Sequence, residues 1–397
     1  MARWKYNQNK DDDHVKYDKI RRGKDKRKKS KDAGNDKFLL DESKWEKENG
    51  WFKARVVEVQ KRYAFVSPEN DAGEVDTKDV WLGTVARKYL QSKRMERNTI
   101  AVGDVVLCRP TDDREADIDT DIPCCVIMKL KPRRSEISRR DPGSQERQHV
   151  LAANVDQLLV LASYQSPAVK WGLIDRYLVL AEEQGIEPII ILNKKDLLRK
   201  ESQEFRKECE DEAKTYRDLG YKVFSLSVLE DPESEEIKAI ESLMQGKITI
   251  LSGHSGVGKS SLINLYRPEI VQEVEPDSDI FYKGRHTTTY ASFITLDTGG
   301  YVIDTPGIRS FLLGERNSID LSFAFREFRP LIGQCKFREC RHIDEPDCAV
   351  MTALQKGEIT NRRYRSYKGL LLGDTGREGR TRDCLLYTSD AADEEDS

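Results

Sequence analysis

The chain has 397 residues, of which 38% are hydrophobic and 35% are charged, and its formal net charge at pH 7 is −3. This length suffices for two or three domains with cores of their own. No apolar run is long enough to span a membrane, and the N-terminal sequence lacks the apolar core of a signal peptide. We therefore expect a soluble protein of the cytoplasm with no membrane partner.

Charges are distributed unevenly along the chain. Residues 1–45 are polar and carry nine Lys and Arg residues between positions 19 and 31, which predicts a disordered basic arm. Such an arm is either a solvated tail or a segment attracted to a polyanion such as RNA. The eight cysteines are too few and too scattered for a secreted disulfide scaffold, which indicates a reducing compartment.

Residues 46–130 carry short runs of alternating apolar residues, joined by turns that contain Gly and Asp. This pattern predicts several short strands in a small all-β barrel, of the size of oligonucleotide-binding (OB) barrels. The rings of Tyr63, Phe65 and Trp81 are suited to stacking on bases, although strand aromatics more often belong to the core. Both interpretations of these aromatic residues stay open.

The basic segment KPRRSEISRR at 131–140 contains a proline and is interpreted as a linker to a second domain, predicted over residues 131–318. In that domain, continuous apolar runs at 158–162 and 188–192 flank a helix-like stretch. Such runs are typical of strands buried on both faces. The alternation of strand and helix predicts a parallel, doubly wound sheet.

The tetrapeptide NKKD follows the second of these strands, where ligand loops of such sheets lie. The Asp196 carboxylate can accept hydrogen bonds from the ring N–H and the exocyclic amine of guanine, whereas adenine would leave it unpaired. By itself, the motif is also typical of an ordinary turn and helix cap. The next predicted strand, at 222–228, ends in backbone that would approach the base. The predicted base-contacting residues are Asn193, Lys194, Lys195, Asp196, Ser227 and Val228.

After a predicted helix with Ser234 as its N-cap, an apolar run leads into GHSGVGKS, which fits the phosphate-loop pattern G-x-x-x-x-G-K-[ST]. The flanking strand and helix favour this interpretation over a chance glycine-rich turn, because such a loop points backbone N–H groups at phosphate oxygens. Lys259 would reach the outer phosphates, and the Ser260 hydroxyl would ligate Mg²⁺. The predicted contacts of the loop are Gly253, His254, Ser255, Gly256, Val257, Gly258, Lys259, Ser260 and Ser261.

Two further elements complete the expected phosphate side of the site. In GRHTTT, Thr288 is the preferred ligand of Mg²⁺ and of the terminal phosphate, with Thr287 as the alternative, unless the threonines only begin a strand. After a predicted strand at 301–303, Asp304 would hold the Mg²⁺ shell, and the Gly307 N–H would contact the terminal phosphate.

The segment QCKFRECRHIDEPDC contains a cluster of candidate metal ligands, Cys335, Cys340, His342 and Cys348. Thiolate and imidazole ligands favour Zn²⁺, and four of them would close a tetrahedral, structural site that has no vacancy for water. Three thiols in a short window are also compatible with plain burial. The remaining cysteines are interpreted as core or incidental residues: Cys108, Cys124, Cys125, Cys209 and Cys384.

The order of the motifs is unusual, because the base-specifying element precedes the phosphate loop, whereas it follows that loop in ordinary GTPases. This order indicates a circular permutation, which keeps the same site because only the chain ends and one connection move. With NKKD, GHSGVGKSS, GRHTTT, DTPG, the strand entry AANVDQ and the cysteine cluster, residues 50–372 resemble the RsgA (YjeQ) family of circularly permuted GTPases, which act in assembly of the bacterial small ribosomal subunit. The resemblance implies an OB barrel at 46–130, a permuted α/β GTPase domain at 131–318 and a small helical zinc domain at 319–372.

The resemblance also implies GTP, Mg²⁺ and one structural Zn²⁺ as ligands, and the small ribosomal subunit and its rRNA as partners of what we expect to be a monomer. Ile308 follows Gly307 where many GTPases have a water-orienting Gln, so unassisted hydrolysis should be slow. His286 is the candidate catalytic substitute, alongside Lys259 and Thr288, unless it only packs or caps. An RNA-binding assembly scaffold that uses GTP as a structural or switch ligand is the alternative function, and a metabolic P-loop kinase is a weaker one.

The segment 357–372 interleaves basic residues with tyrosines, which suits either contacts with rRNA or an amphipathic helix that packs on the protein. These residues are Arg362, Arg363, Tyr364, Arg365, Tyr367 and Lys368. Residues 373–397 show neither periodicity nor resemblance, and they are predicted to be a disordered tail or a segment foreign to the fold.

Overall fold

The computed structural model describes residues 50–60, 63–85, 100–111, 122–140, 148–266, 292–304 and 318–373. The predicted basic arm at 1–45 and the tail beyond Gly373 lie outside the described residues. Among the described helices, none combines the length and the apolar composition needed to cross a bilayer.

The first five strands close into a barrel, as the alternating pattern predicts. They are β1 (Phe52–Val59), β2 (Ala64–Pro68), β3 (Trp81–Val85), β4 (Val105–Thr111) and β5 (Cys124–Leu130). Strand β1 pairs with both β2 and β4, and β3 pairs in parallel with β5, so the strands close in the order β1-β2-β3-β5-β4. This five-stranded closed barrel is OB-like, which confirms the predicted fold of the segment.

The aromatic residues of the barrel take part in packing. The rings of Phe52 and Trp81 lie 4.8 Å apart, and both pack against the buried barrel core. Phe65 packs against the core of the following domain. All three aromatic residues are half-buried, and these contacts favour the packing interpretation for Phe65 and Trp81.

The segment at 131–140 is more than a linker, and that interpretation is wrong for its second half. Strand β6 (Glu136–Arg140) pairs with β7 (Gln148–Ala153) in a separate two-stranded sheet. Arg133 donates to both carboxylate oxygens of the fully buried Asp104, at 2.7 and 2.8 Å. One of the charges that are typical of an exposed linker, that of Arg133, is therefore paired with a buried carboxylate.

A second group of strands forms the nucleotide-domain sheet: β8 (Gln157–Ser163), β9 (Glu187–Asn193), β10 (Lys222–Ser225), β11 (Ile248–Gly253), β12 (Ser292–Thr295) and β13 (Tyr301–Asp304). Their order is β10-β9-β8-β11-β13-β12, and all pairs are parallel except β12 with β13. One bridge between Glu58 and Ser292 joins this sheet to the barrel. The predicted doubly wound sheet is present.

Helices cover both faces of this sheet: α1 (Trp171–Gln184), α2 (Gln203–Asp218), α3 (Glu235–Met244) and α4 (Lys259–Tyr266). Alternate residues of β8 belong to opposite cores, since Leu158 packs with α1 and α2, and Leu159 with α3 and α4. Ser234 occupies the N-cap position of α3 as predicted, but its side chain makes no capping hydrogen bond.

The C-terminal part is helical, with α5 (Ser318–Ala324), a 3₁₀ helix (Arg326–Leu331), α6 (Ala349–Gln355) and α7 (Asn361–Leu371). Phe325, Phe328 and Tyr367 form an aromatic core with centroid separations of 4.8–5.4 Å. Val179 of α1 belongs to the same core, so α1 serves both the nucleotide domain and the C-terminal helices.

Helix α7 packs on the protein, which favours the second interpretation of its basic and aromatic residues. Arg363 is only 1% exposed. The hydroxyl groups of Tyr364 and Tyr367 donate to the backbone carbonyls of His342 and Arg341, at 2.9 and 2.8 Å.

Candidate nucleotide site and metal cluster

The NKKD motif, the residues around Ser227 and the phosphate loop lie at one edge of the sheet. Strands β8, β9, β10 and β11 are parallel neighbours, so the loops that follow their carboxyl ends lie side by side. In open α/β sheets, ligands bind in the crevice outside these carboxyl ends. The loops concerned are residues 164–170, 194–200, 226–231 and 254–258.

The phosphate loop has the predicted strand, loop and helix around it. Gly253 has φ +148°, and a Cβ added there would lie 2.1 Å from the Leu161 carbonyl oxygen. Gly258 has φ +101°, and its added Cβ would lie 2.3 Å from Nδ2 of Asn193. Glycine is therefore required at both positions, for conformation and for space. The second contact brings the phosphate loop directly against the NKKD motif.

Lys259 begins α4 and folds back over its own loop. Its Nζ donates to the carbonyl oxygens of Gly253 and His254, both at 2.9 Å. The ammonium is thus held at the mouth of the loop, where a phosphate-loop lysine contacts the outer phosphates. Ser260 and Ser261 lie in the first turn of α4 and are half-buried.

Asn193 cross-links two of the loops. Its side chain is 3% exposed; Nδ2 donates to the Val257 carbonyl at 2.8 Å, and Oδ1 accepts from the Val228 N–H at 3.0 Å. The sequence assigned Asn193 to the base, and that contact stays a prediction. The structure adds a positioning function, because the amide ties the phosphate loop to the loop after β10.

The Asp196 carboxylate is oriented by Ser227. The Ser227 hydroxyl accepts from the Asp196 N–H at 2.9 Å and donates to Oδ1 of the same residue at 2.7 Å. The Lys195 N–H donates to the Leu226 carbonyl at 3.0 Å. Only the backbone of Ser227 was expected to matter, but its side chain fixes the group that is predicted to read guanine.

Lys194 connects the NKKD motif to the loop after β8. It has φ +60°, and its Nζ donates to the Ser166 carbonyl oxygen. Burial lowers the pKa of the Lys194 ammonium, while the neighbouring Asp196 carboxylate acts in the opposite direction. No sequence motif singled out residues 164–170. The rule that places ligand loops after parallel strands would have found them.

The structure describes only part of the two further elements predicted for the phosphate side of the site. Asp304 is the last residue of β13, whose Ile303 pairs with Ile250 of β11. This pairing brings the end of β13 beside the strand that leads into the phosphate loop. The predicted residues His286, Thr287, Thr288, Gly307 and Ile308 lie outside the described residues.

The four predicted zinc ligands converge, with one ligand atom of each within 4.8 Å of all the others. The Sγ atoms of Cys335 and Cys348 are 3.9 Å apart, and Nδ1 of His342 lies 3.5 and 3.4 Å from them. With Zn–S of about 2.3 Å and Zn–N of about 2.0–2.1 Å, tetrahedral geometry gives edges of about 3.8 Å between sulfurs and about 3.6 Å from sulfur to nitrogen. The cluster therefore fits a tetrahedral Zn²⁺ ion, and its cysteines are free thiols.

The loop around this cluster is held by hydrogen bonds to its backbone. The Glu345 carboxylate accepts from the N–H groups of Arg341 and Ile343 at 2.8 and 2.9 Å. Burial by itself would raise the pKa of Glu345, but these N–H donors outweigh it and lower the pKa to about 2. The backbone carbonyls of this loop accept hydrogen bonds from Tyr364 and Tyr367 of α7, so both its N–H groups and its carbonyl groups are hydrogen-bonded.

A family model described as RsgA GTPase matches residues 130–314. The small ribosomal subunit biogenesis GTPase RsgA of Flavobacterium psychrophilum is 38% identical over 280 residues, which cover 70% of this chain and 81% of that protein. The chain belongs to the RsgA family. The RsgA protein of Haemophilus influenzae strain 86-028NP is 37% identical over 303 residues, covering 76% of this chain and 80% of that one.

Solved structures of RsgA-like proteins have the same architecture. YjeQ from Thermotoga maritima matches with a TM-score of 0.61 and 27% identity, covering 82% of this chain and 99% of that chain. YloQ, described as a circularly permuted GTPase, matches with a TM-score of 0.59 and 28% identity, covering 83% and 97%. The RsgA-like fold class and the circular permutation predicted from the motif order are confirmed.

Proposed function

We propose that this protein is a GTPase that hydrolyses GTP to GDP and phosphate and assists late maturation of the small ribosomal subunit in the cytoplasm. The observation that carries the proposal is the junction of NKKD and the phosphate loop. Asn193 joins them, and Ser227 orients the Asp196 carboxylate at the same sheet edge. A guanine on Asp196 and phosphates on the loop are the ligand that these two elements suit.

The proposed roles follow from the chemistry of the groups. Lys259 and the loop N–H groups hold the phosphates, and the Gly307 N–H contacts the terminal one. Ser260 and Thr288 would ligate Mg²⁺, and Asp304 would hold its water shell. Bound Mg²⁺ neutralises charge that develops on the transferred phosphoryl group.

The Cys335–Cys348 cluster holds one structural Zn²⁺ under this proposal. Its three thiols and the His342 imidazole supply four ligands, which leaves no coordination position for water. The ion therefore shapes the C-terminal helices and the surface that they present, rather than the chemistry of GTP. The proposed partners are the small ribosomal subunit and its rRNA. The protein is proposed to bind them as a monomer.

The function is tested by multiple-turnover release of phosphate from GTP, using the full-length protein alone and titrated with purified small ribosomal subunits. We expect slow release from the protein alone, because Ile308 cannot orient water, and stimulation of about tenfold or more that saturates with subunits. The Lys259→Ala variant should remove activity in both conditions. If the wild type binds the subunits without releasing phosphate in either condition, the scaffold alternative holds instead.

The same assay tests His286 as the water-positioning residue. His286→Ala should bind GTP with wild-type affinity but lose the stimulation by small subunits, since its role lies in the transition state rather than in the ground state. Retained stimulation in this variant would remove His286 from the mechanism and leave the GTPase proposal intact.

The guanine assignment predicts the effect of Asp196→Asn. Loss of the carboxylate should weaken GDP binding on the order of 10–100-fold, because two charge-assisted hydrogen bonds to guanine are lost. Xanthosine diphosphate (XDP) has a carbonyl in place of the exocyclic amine of guanine, and the amide of the variant can donate a hydrogen bond to it. The affinity of the variant for XDP should therefore rise relative to its affinity for GDP. Competition against a fluorescent nucleotide measures both constants. Asp231→Asn, an exposed neighbour, is the matched control, and equal affinity of the wild type for GDP and ADP would refute the assignment.

A further inference from the structure

The loop at 164–170, here called the Tyr164 loop, contacts the NKKD motif and lines a cavity together with the phosphate loop. Its Ser166 carbonyl accepts from Lys194, and the Ser163 hydroxyl shapes it by donating to the Pro167 carbonyl at 2.7 Å. A Cβ added to Gly256 of the phosphate loop would lie 3.6 Å from Pro167 Cδ. The loop therefore lines the site, although it carries no recognised sequence motif.

Tyr164 anchors this loop in the protein. Its side chain is 2% exposed, and its N–H donates to the Asn193 carbonyl at 3.1 Å. Its hydroxyl is hydrogen-bonded to Oγ of Ser225 at 2.5 Å. Burial raises the pKa of Tyr164, against the effect of its hydrogen bond with Ser225, so the hydroxyl stays protonated at neutral pH. The ring thus links the end of β8 to the end of β10.

Ser225 is the last residue of β10 and stands two residues before Ser227. Between them, the Leu226 N–H donates to the Leu192 carbonyl, and the Leu226 carbonyl accepts from the Lys195 N–H, each at 3.0 Å. Ser227 then orients the Asp196 carboxylate. Ser225 is therefore connected to the Asp196 carboxylate through two further residues of the chain and one side-chain hydrogen bond.

We infer that Tyr164 is a positioning residue for guanine recognition, acting through Ser225 on the carboxylate of Asp196. The inference rests on the proposed function, since it names a group that sets how well the site distinguishes guanine from related purines. Two hydrogen bonds from one carboxylate to the ring N–H and the exocyclic amine demand a fixed orientation. A hypoxanthine base has the ring N–H but lacks the amine, so its binding depends less on the orientation of the Asp196 carboxylate.

The test compares the affinities of the full-length protein for GDP and for inosine diphosphate (IDP), whose base is hypoxanthine. Tyr164→Phe keeps the ring and removes the hydroxyl; we expect GDP binding to weaken about 3–10-fold, as for loss of one hydrogen bond, and IDP binding to weaken by less. Ser225→Ala should have the same effect, and the double variant should add little to either single change. Tyr221→Phe is the matched control, because its buried hydroxyl has no hydrogen-bond partner among the described residues.

The outcomes separate this inference from the proposed function. A wild type that binds GDP no better than IDP and ADP refutes the guanine site itself. If the wild type prefers GDP and Tyr164→Phe binds both nucleotides as the wild type does, the positioning role is wrong and the guanine site stands. If Tyr164→Phe weakens the binding of both nucleotides by the same factor, Tyr164 has a merely structural role, and the inference is also overturned.

Discussion

Replacement of Cys348 by Ser is expected to abolish binding of the zinc ion proposed for the cluster and to lower the temperature at which the C-terminal helices unfold. Cys348 is buried at the N-cap of α6, and its thiol faces both Cys335 and His342. Structural zinc contributes roughly 10–16 kcal/mol of apparent binding free energy in zinc-finger peptides. This domain also has an aromatic core, so we expect a loss of several kcal/mol rather than complete unfolding.

Zinc content per chain and thermal unfolding measure this effect, with the wild type containing one zinc ion. Cys384→Ser is the matched control, because the sequence analysis does not count that cysteine among the four predicted ligands. The control should keep its zinc and its unfolding temperature. A Cys348→Ser variant that retains one zinc ion per chain at wild-type stability would contradict the assignment of the cluster.

Arg363→Met is expected to destabilise the protein by about 3–5 kcal/mol, because it removes the buried guanidinium that two buried carboxylates share. Arg363 donates to Asp175 of α1 at 2.5 Å and to both oxygens of Glu327 at 2.6 and 2.9 Å. Asp175 is fully buried and also accepts from Arg362 at 2.7 Å. Burial alone would raise the pKa of Asp175, but the two guanidinium groups outweigh it and hold the pKa below its ordinary value.

Arg365→Met is the matched control, since Arg365 lies on the same helix and is exposed. Its effect should stay within about 0.5 kcal/mol. Unfolding in urea, followed by circular dichroism, gives the two midpoints. Equal midpoints would show that the buried ion pairs do not hold α7 against α1.

The ion pairs also explain why the basic residues of α7 could not be assigned from the sequence. Arginine next to tyrosine is typical of both RNA-binding surfaces and packing helices. The carboxylates that decide the matter, on Asp175 and Glu327, are far from Arg363 in the chain. Only the packing of α1 against α7 shows that Arg363 and Tyr367 face inward, whereas Arg365 faces solvent.

The linker interpretation of 131–140 is wrong for its second half for a related reason. Its charges and its proline are typical of an exposed connection. Strand β6 nevertheless forms, and Arg133 meets a buried carboxylate that precedes it by 29 positions. Local composition carries no information about such a partner.

The sequence by itself determined the barrel, the doubly wound sheet, the permuted order of the motifs and the members of the Cys/His cluster. These features depend on periodicity, spacing and chain order, which are properties of short segments or of their succession. The tertiary structure decided which residues hold the site together: Asn193 between two loops, the Ser227 hydroxyl on Asp196, and Tyr164 behind Ser225. Each of these contacts joins the ends of different strands, and their distances exist only once the parallel sheet has brought those ends to one edge.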